Sequence, residues 1–205
     1  MKPNIEELRK IIVDSFVNSI KQKENMSTNF DRSTRFVSIL SEQIHNTWYS
    51  KEKMHLKSID EHGKKVGGEW LYDMCITETR EIFDKRYKNS SAGINVKVLF
   101  AMECEFSTGL KDFADDFGKL LCSSADDYLF VQGLNQITES ERKKFIENRK
   151  DIIKTELSMN AKNFFIAFVP TPGKRNDPVS LWNRDEVLTN WIEVYLYDKA
   201  NSTYY

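Results

Sequence analysis

The sequence predicts an α/β protein in which a mixed central sheet is flanked by helices. Two segments with apolar residues at helical spacing open the chain. Short apolar runs of strand length follow, and the later runs alternate with helix-like segments. A strand, helix, strand order favours parallel pairing of the two strands.

The N-terminal part predicts a helical layer of two helices. Asn4 is a plausible cap for the first, whose apolar positions end at the polar break 23–25. These positions are Ile5, Leu8, Ile12, Phe16 and Ile20. The second helix is expected to begin after Asp31 or Ser33 and to end near Trp48-Tyr49. Its apolar side consists of Phe36, Ile39, Leu40 and Ile44.

The first strands of the sheet are expected in the middle of the chain. Residues 51–65 have no clear period, and we expect one short strand there. Run 69–76 follows the Gly67-Gly68 pair, and we expect a largely buried strand over the whole of it. The charged stretch 77–88 predicts a helix, and the strand 94–106 follows a turn.

The second half of the chain alternates between helices and strands. Apolar spacing from Leu110 to Leu121 predicts a helix, and a strand is expected at 128–131. A further helix is expected at 139–159 and a further strand at 164–169. A loop rich in proline and glycine then separates these elements from a final strand at 191–197.

Length and composition bound the class of protein. With 205 residues we expect one domain over 1–205: an N-terminal helical extension at 1–30, a core at 34–169 and a C-terminal loop and strand at 170–205. The 30 Lys and Arg residues balance 31 Asp and Glu residues, so no global basic field points to nucleic acid. Three scattered cysteines and the lack of an apolar leader or spanning run predict a cytoplasmic protein without membrane association.

Acidic residues at the ends of the central strands form the strongest candidate site. Glu103 and Glu105 are two residues apart in an apolar strand, so both side chains should leave the same face. Asp73 lies in the preceding apolar run, and Lys119 lies in the helix that follows. Carboxylates on adjacent strands, with the backbone carbonyl of residue 104, would suit Mg²⁺ or Mn²⁺. A lysine beside them could stabilise charge on a phosphate under attack.

These residues resemble the PD-(D/E)XK nuclease superfamily, also called restriction-endonuclease-like. The core of that superfamily runs helix, three strands, helix, strand, with an acid on the second strand and an acid-x-lysine triplet on the third. Segment 68–73 is similar to the second strand, Ala101-Met102-Glu103-Cys104-Glu105 to the third, and 113–121 to the following helix. The resemblance covers roughly residues 34–132 and implies a restriction-endonuclease-like core.

One position departs from the pattern of the superfamily. Glu105 stands where the lysine is usual, and some members with an acid-x-acid motif supply the lysine from the next helix, as Lys119 would here. The resemblance then implies that Asp73 and Glu103 ligate Mg²⁺ or Mn²⁺, that Glu105 ligates or acts as base, and that Lys119 supports the attacking water. Glu42, on the second helix, is the candidate for the accessory acid of the first core helix.

The resemblance implies a metal-dependent nuclease that hydrolyses phosphodiester bonds, with DNA as the expected partner and a homodimer left open. Lys174 and Arg175, in the basic loop, are candidates for contacts with the nucleic acid. Two alternatives stay open: a catalytically inactive nuclease-like domain that serves as a protein-interaction or assembly module, and a metal-dependent hydrolase of small phosphorylated substrates.

Overall fold

The computed structural model describes residues 2–21, 29–56, 58–59, 65–66, 71–83, 91–157, 163–171 and 188–205. The helices are α1 (Ile5–Lys21), α2 (Asn29–Trp48), α3 (Leu110–Leu121) and α4 (Glu139–Glu156), with a short 3-10 helix at Leu188–Trp191. The strands are β1 (Lys53–Leu56), β2 (Ser58–Ile59), β3 (Lys65–Val66), β4 (Met74–Phe83), β5 (Ser91–Glu105), β6 (Ala125–Leu134), β7 (Asn163–Pro170), β8 (Glu193–Asp198) and β9 (Thr203–Tyr204).

A mixed seven-stranded sheet forms the centre of the described structure. Its strand order is β1-β4-β5-β6-β7-β8-β9, and β2 pairs with β3 separately. The strands β5, β6 and β7 are parallel, whereas the remaining neighbours in the large sheet pair antiparallel. The parallel pairing across α3 agrees with the strand, helix, strand order of the sequence.

Helices cover both faces of the sheet. On one face, α1, α2 and the 3-10 helix share a hydrophobic cluster with β5 residues Phe100 and Met102. On the other face, α3 and α4 pack in a cluster that contains Ala101 of β5 and Phe130 of β6. Since side chains alternate along a strand, Glu103 and Glu105 lie on the same face as Ala101, under α3.

The predicted α/β class and most predicted elements are confirmed. The two N-terminal helices, the strands β5, β6 and β7, and the helices α3 and α4 lie where the apolar pattern indicated. The ambiguous 51–65 segment, where one short strand was expected, contains β1, β2 and the first residue of β3. The start of α2, at Asn29, precedes the expected position, and the strand expected over 191–197 begins only at Glu193 as β8, because Trp191 ends the 3-10 helix.

The helix predicted over 77–88 is wrong for the part that the structure describes. Residues 77–83 continue β4, and they pair antiparallel with β5 from Thr77 opposite Val98 to Phe83 opposite Ser91. The strand is exposed from Glu78 onward, so this part of the sequence lacks the alternation of apolar and polar residues that indicates a half-buried strand. Residues 84–88 lie outside the described residues, as do 69–70 of the predicted second strand. The strand predicted over 69–76 is wrong for 71–73, which form a bend with Leu71 61% exposed, because pairing with β5 begins only at Met74.

No helix among the described residues is long and apolar enough to cross a membrane.

Candidate active site

Asp73 lies immediately before β4 and is fixed against β5. Met74 pairs with Met102, which places Asp73 level with Glu103 on the neighbouring strand. The backbone N–H of Cys104 donates a hydrogen bond to Oδ2 of Asp73, with an N···O distance of 2.9 Å. The backbone of β5 therefore holds the Asp73 carboxylate at the strand position that carries Glu103.

Glu103 is a buried acid with one incompletely satisfied oxygen. Its residue exposure is 1%, and Oε1 has no hydrogen-bond partner among the described residues. Burial raises the pKa of Glu103 to about 8, with a further contribution from the nearby Asp73 charge, while Lys119 acts in the opposite direction. A carboxylate in this position requires a proton or a cation to offset the cost of burial.

Lys119 of α3 reaches the buried acid. Its Nζ lies 3.4 Å from Oε2 of Glu103 and 2.6 Å from Oδ1 of Asp116, one turn earlier on the helix. Partial burial acts to lower the pKa of Lys119, but the contacts with Asp116 and Glu103 outweigh it and raise that pKa. The ammonium group is therefore charged and sits between an acid of the sheet and an acid of the helix.

Glu105 lies two residues further along the same face. Its Oε1 accepts a hydrogen bond from the N–H of Ser107, and its carboxyl group is in hydrogen-bonding contact with that of Asp116. Burial raises the pKa of Glu105 to about 7; the Ser107 N–H acts to lower it, and Asp116 raises it further. Glu105 thus changes its protonation state near neutral pH.

Side chains of other elements hold the segment that follows Glu105. Nε2 of Gln132 donates to the carbonyl oxygens of Glu105 and Ser107 at 2.9 and 2.7 Å. Oγ1 of Thr171 donates to the carbonyl of residue 106 at 3.0 Å, and Arg149 donates to that of residue 108, also at 3.0 Å. The 105–108 carbonyls are thereby fixed from β6, α4 and the residue after β7, which restrains the link between β5 and α3.

Asp116 belongs to this constellation although the sequence did not single it out. It contacts both Lys119 and Glu105, and its charge raises the pKa of Glu103. The signal in the sequence was its position three residues before Lys119, on the same side of a helix. Such i, i+3 pairs are common on exposed helices, so the spacing alone did not mark it.

The remaining candidate residues are not joined to this constellation by any described contact. Glu42 is exposed on α2, and α2 packs on the face of the sheet opposite to Glu103. Lys174 and Arg175 lie outside the described residues. The acids and the lysine brought together lie immediately before β4, in β5 and in α3.

Asp73 and Glu103 are the type of oxygen donor that hard divalent cations prefer. Asp73 and Glu103 supply carboxylate oxygens, and the buried Oε1 of Glu103 has no described donor. In the described part of the chain, no three or more His, Cys, Asp and Glu side chains form a group that could hold a metal ion. Mg²⁺ commonly binds through one or two carboxylates and completes its shell with waters and substrate phosphate oxygens, so two side chains suffice.

Comparisons with known proteins return no relative. No protein-family model, no curated protein and no solved structure matches this chain.

Proposed function

We propose that this protein is a metal-dependent nuclease of the PD-(D/E)XK type, which hydrolyses phosphodiester bonds in DNA. The observation that carries the proposal is the contact between Nζ of Lys119 and the buried carboxylate of Glu103, with Asp73 fixed beside it. A lysine from the helix after the third core strand is what an acid-x-acid member of that superfamily requires.

The order of elements also supports the proposal. A helix (α2) is followed by strands that include β1, β4 and β5, then by α3 and the parallel strand β6. This sequence matches the helix, three strands, helix, strand core of the superfamily when β1, β4 and β5 are taken as the three strands. Asp73 then immediately precedes the second strand, and Glu103 and Glu105 lie at the end of the third.

Asp73 and Glu103 would hold Mg²⁺ or Mn²⁺. When bound, the ion would polarise a phosphoryl oxygen and neutralise charge that develops during in-line attack. Glu103 lies in β5, and Asp73 immediately precedes the neighbouring strand β4 and accepts a hydrogen bond from the β5 backbone, which limits their movement. Rigid support of this kind keeps the reacting groups in the required geometry.

Lys119 and Glu105 would act on the attacking water. Lys119 orients the water and stabilises negative charge on the phosphate. Glu105, ionised above about pH 7, accepts the proton that the water loses. The water oxygen forms a bond to phosphorus while the bond to the leaving oxygen breaks, and the leaving oxygen takes its proton from solvent.

The test is cleavage of linear and supercoiled DNA with Mg²⁺ or Mn²⁺ by the wild type, Asp73→Asn, Glu103→Gln and Lys119→Met. We expect each variant to lose at least about 10²-fold in rate, the scale of removing one electrostatic stabiliser from an active site. Asp115→Asn is the matched control, because Asp115 is exposed on α3 and carries the same charge.

If the wild type cleaved DNA no faster than Asp73→Asn and Glu103→Gln, the proposal would be contradicted. The activity would then come from a contaminating nuclease. Circular dichroism and thermal melting of each variant separate lost chemistry from lost folding. The amide variants keep the size of the side chain, and Asp73→Asn keeps an oxygen that can accept the Cys104 N–H.

A second candidate function is an inactive nuclease-like module for protein interaction or assembly. The outer part of the β4–β5 hairpin favours it, because Ile82, Phe83 and Ile94 are 49%, 71% and 46% exposed. Arg80 pairs with Ile94, so Ile82 and Ile94 share one face of the hairpin and Phe83 lies on the other. Exposed apolar side chains that share a face favour an interaction site. Sedimentation of the wild type and of Phe83→Ser tests this role: a dimer that dissociates in the variant supports it, and a monomeric wild type argues against assembly of the chain with itself.

A further inference from the structure

Asp116 connects the two residues in which this site departs from the usual acid-x-lysine arrangement. Its Oδ1 lies 2.6 Å from Nζ of Lys119, closer than the 3.4 Å between that Nζ and Oε2 of Glu103. Its carboxyl group also contacts that of Glu105. The side chain of Asp116 is 19% exposed, whereas that of Lys119 is 42% exposed, so the acid is the more enclosed of the two.

We propose that Asp116 is a positioning residue, which holds the Lys119 ammonium group against Glu103 and restrains the Glu105 carboxyl group. The inference rests on the proposed function, in which Lys119 and Glu105 act on the attacking water. Asp116 itself acts through these two side chains.

The physical reason lies in the freedom of a lysine on a helix surface. A lysine carries a long, flexible chain, and holding its head group in one place has an entropic cost. Its contact with Glu103 is long for a charged hydrogen bond, so that contact alone restrains Nζ weakly. The shorter contact with Asp116, three residues earlier on the same helix, restricts Nζ to the side of α3 that faces β5.

Asp116 also contacts Glu105, which lies at the end of β5. The Glu105 carboxyl group lies in hydrogen-bonding contact with the Asp116 carboxyl group across the gap between β5 and α3. Asp116 thereby links α3 to the end of β5 through a side-chain contact. Asp116 is thus the side chain that contacts both Lys119 and Glu105.

The test compares Asp116→Asn, Asp116→Glu and Asp115→Asn in two assays. The first is steady-state DNA cleavage with Mn²⁺. We expect Asp116→Asn to lower kcat by about 10- to 100-fold with little change in KM, because displacement of a catalytic group by about 1 Å can cost 10²-fold in rate. Asp116→Glu should recover part of kcat, and Asp115→Asn, which removes the same charge from the same helix, should retain the wild-type value.

The second assay measures the position of Lys119 without any activity. Reductive methylation of the metal-free protein, read by peptide mass spectrometry, should label Lys119 several-fold faster in Asp116→Asn than in the wild type or Asp115→Asn. A free lysine head group reacts faster than one held by two carboxylates.

The outcomes separate the inference from the proposed function. If the wild type cleaves DNA and Asp116→Asn has the kcat of Asp115→Asn, Asp116 does not position the site. An unchanged methylation rate of Lys119 in Asp116→Asn also overturns the inference. If the wild type shows no cleavage, the proposed function fails, whereas the methylation assay still decides whether Asp116 holds Lys119.

Discussion

Glu103 is a carboxylic acid held at 1% exposure between a lysine and a second acid. Burial and Asp73 favour its protonated form, and Lys119 favours the ionised form. The first two effects prevail, since the pKa lies at about 8 rather than at the ordinary 4.5. A fold selected only for stability would gain from an apolar residue here, because a buried ion pair seldom stabilises more than a well-packed hydrophobic side chain.

The pH dependence of stability should report this acid. The folded state holds the Glu103 proton more tightly than the unfolded chain does, so its contribution to the free energy of unfolding is fully present below pH 4.5 and is lost as pH rises to about 8. Urea denaturation of the metal-free protein across this range should show falling stability in the wild type and a shallower fall in Glu103→Gln. Equal slopes in the two proteins would contradict the assigned burial of the carboxyl group.

Part of the candidate site could be predicted from the sequence, and part depends on contacts between elements. Alternation along a strand predicted that Glu103 and Glu105 share a face, and the structure places both under α3 with Lys119 in reach of Glu103. Asp116 stayed hidden because its role depends on the distance between α3 and β5. The sequence of the helix alone does not indicate how far α3 lies from β5.

At the scale of elements, the β4–β5 hairpin shows where local pattern misleads. The segment Thr77–Phe83 is rich in charged residues, and we predicted a helix. Its conformation is set by pairing with β5, from Thr77 opposite Val98 to Phe83 opposite Ser91. Both faces of this part of the hairpin are exposed, so the sequence shows neither the apolar repeat of a helix nor that of a strand. Pairing with the neighbouring strand sets the conformation. The buried strands β6 and β7 were predictable because their apolar runs are continuous.

Two glycines in neighbouring elements should respond to alanine in opposite directions. A Cβ atom on Gly133 of β6 would lie 2.5 Å from the carbonyl oxygen of Phe106, so it would push away the segment after Glu105. We expect Gly133→Ala to lower the free energy of unfolding by about 1–3 kcal/mol, the range for overpacking. A Cβ atom on Gly118 of α3 would meet no atom of the described neighbouring residues within 4 Å, and Gly118→Ala should stabilise by about 0.5–1 kcal/mol.

Urea denaturation of both glycine variants measures the difference, and Gly118→Ala serves as the control for introducing a methyl group. If Gly133→Ala had the same free energy of unfolding as the wild type, β6 would not pack closely against the backbone of the 105–108 segment.

At the scale of the whole molecule, one sheet separates two chemically different faces. The cluster under α1 and α2 is formed by apolar residues of the sheet and the N-terminal helices, which matches the predicted helical layer. The opposite cluster, under α3 and α4, is also apolar, but at the end of β5 the same face carries Glu103 and Glu105. The class of fold and the layer were predictable from helical and strand periods, whereas the antiparallel pairing of β8 with β7, from Phe164 opposite Tyr197 to Phe168 opposite Glu193, joins residues that no local pattern relates.

A divalent cation should stabilise the whole fold, because Asp73 and Glu103 meet only when β4 and β5 pair. A ligand that binds the folded state alone raises the free energy of unfolding by about 2.7 kcal/mol at 100 times its Kd. Thermal melting with increasing Mn²⁺ should therefore raise Tm in the wild type and leave Asp73→Asn unchanged. Lys119→Met should keep the increase, since the lysine repels the cation rather than binding it. An equal increase of Tm in Asp73→Asn would place the cation elsewhere on the protein.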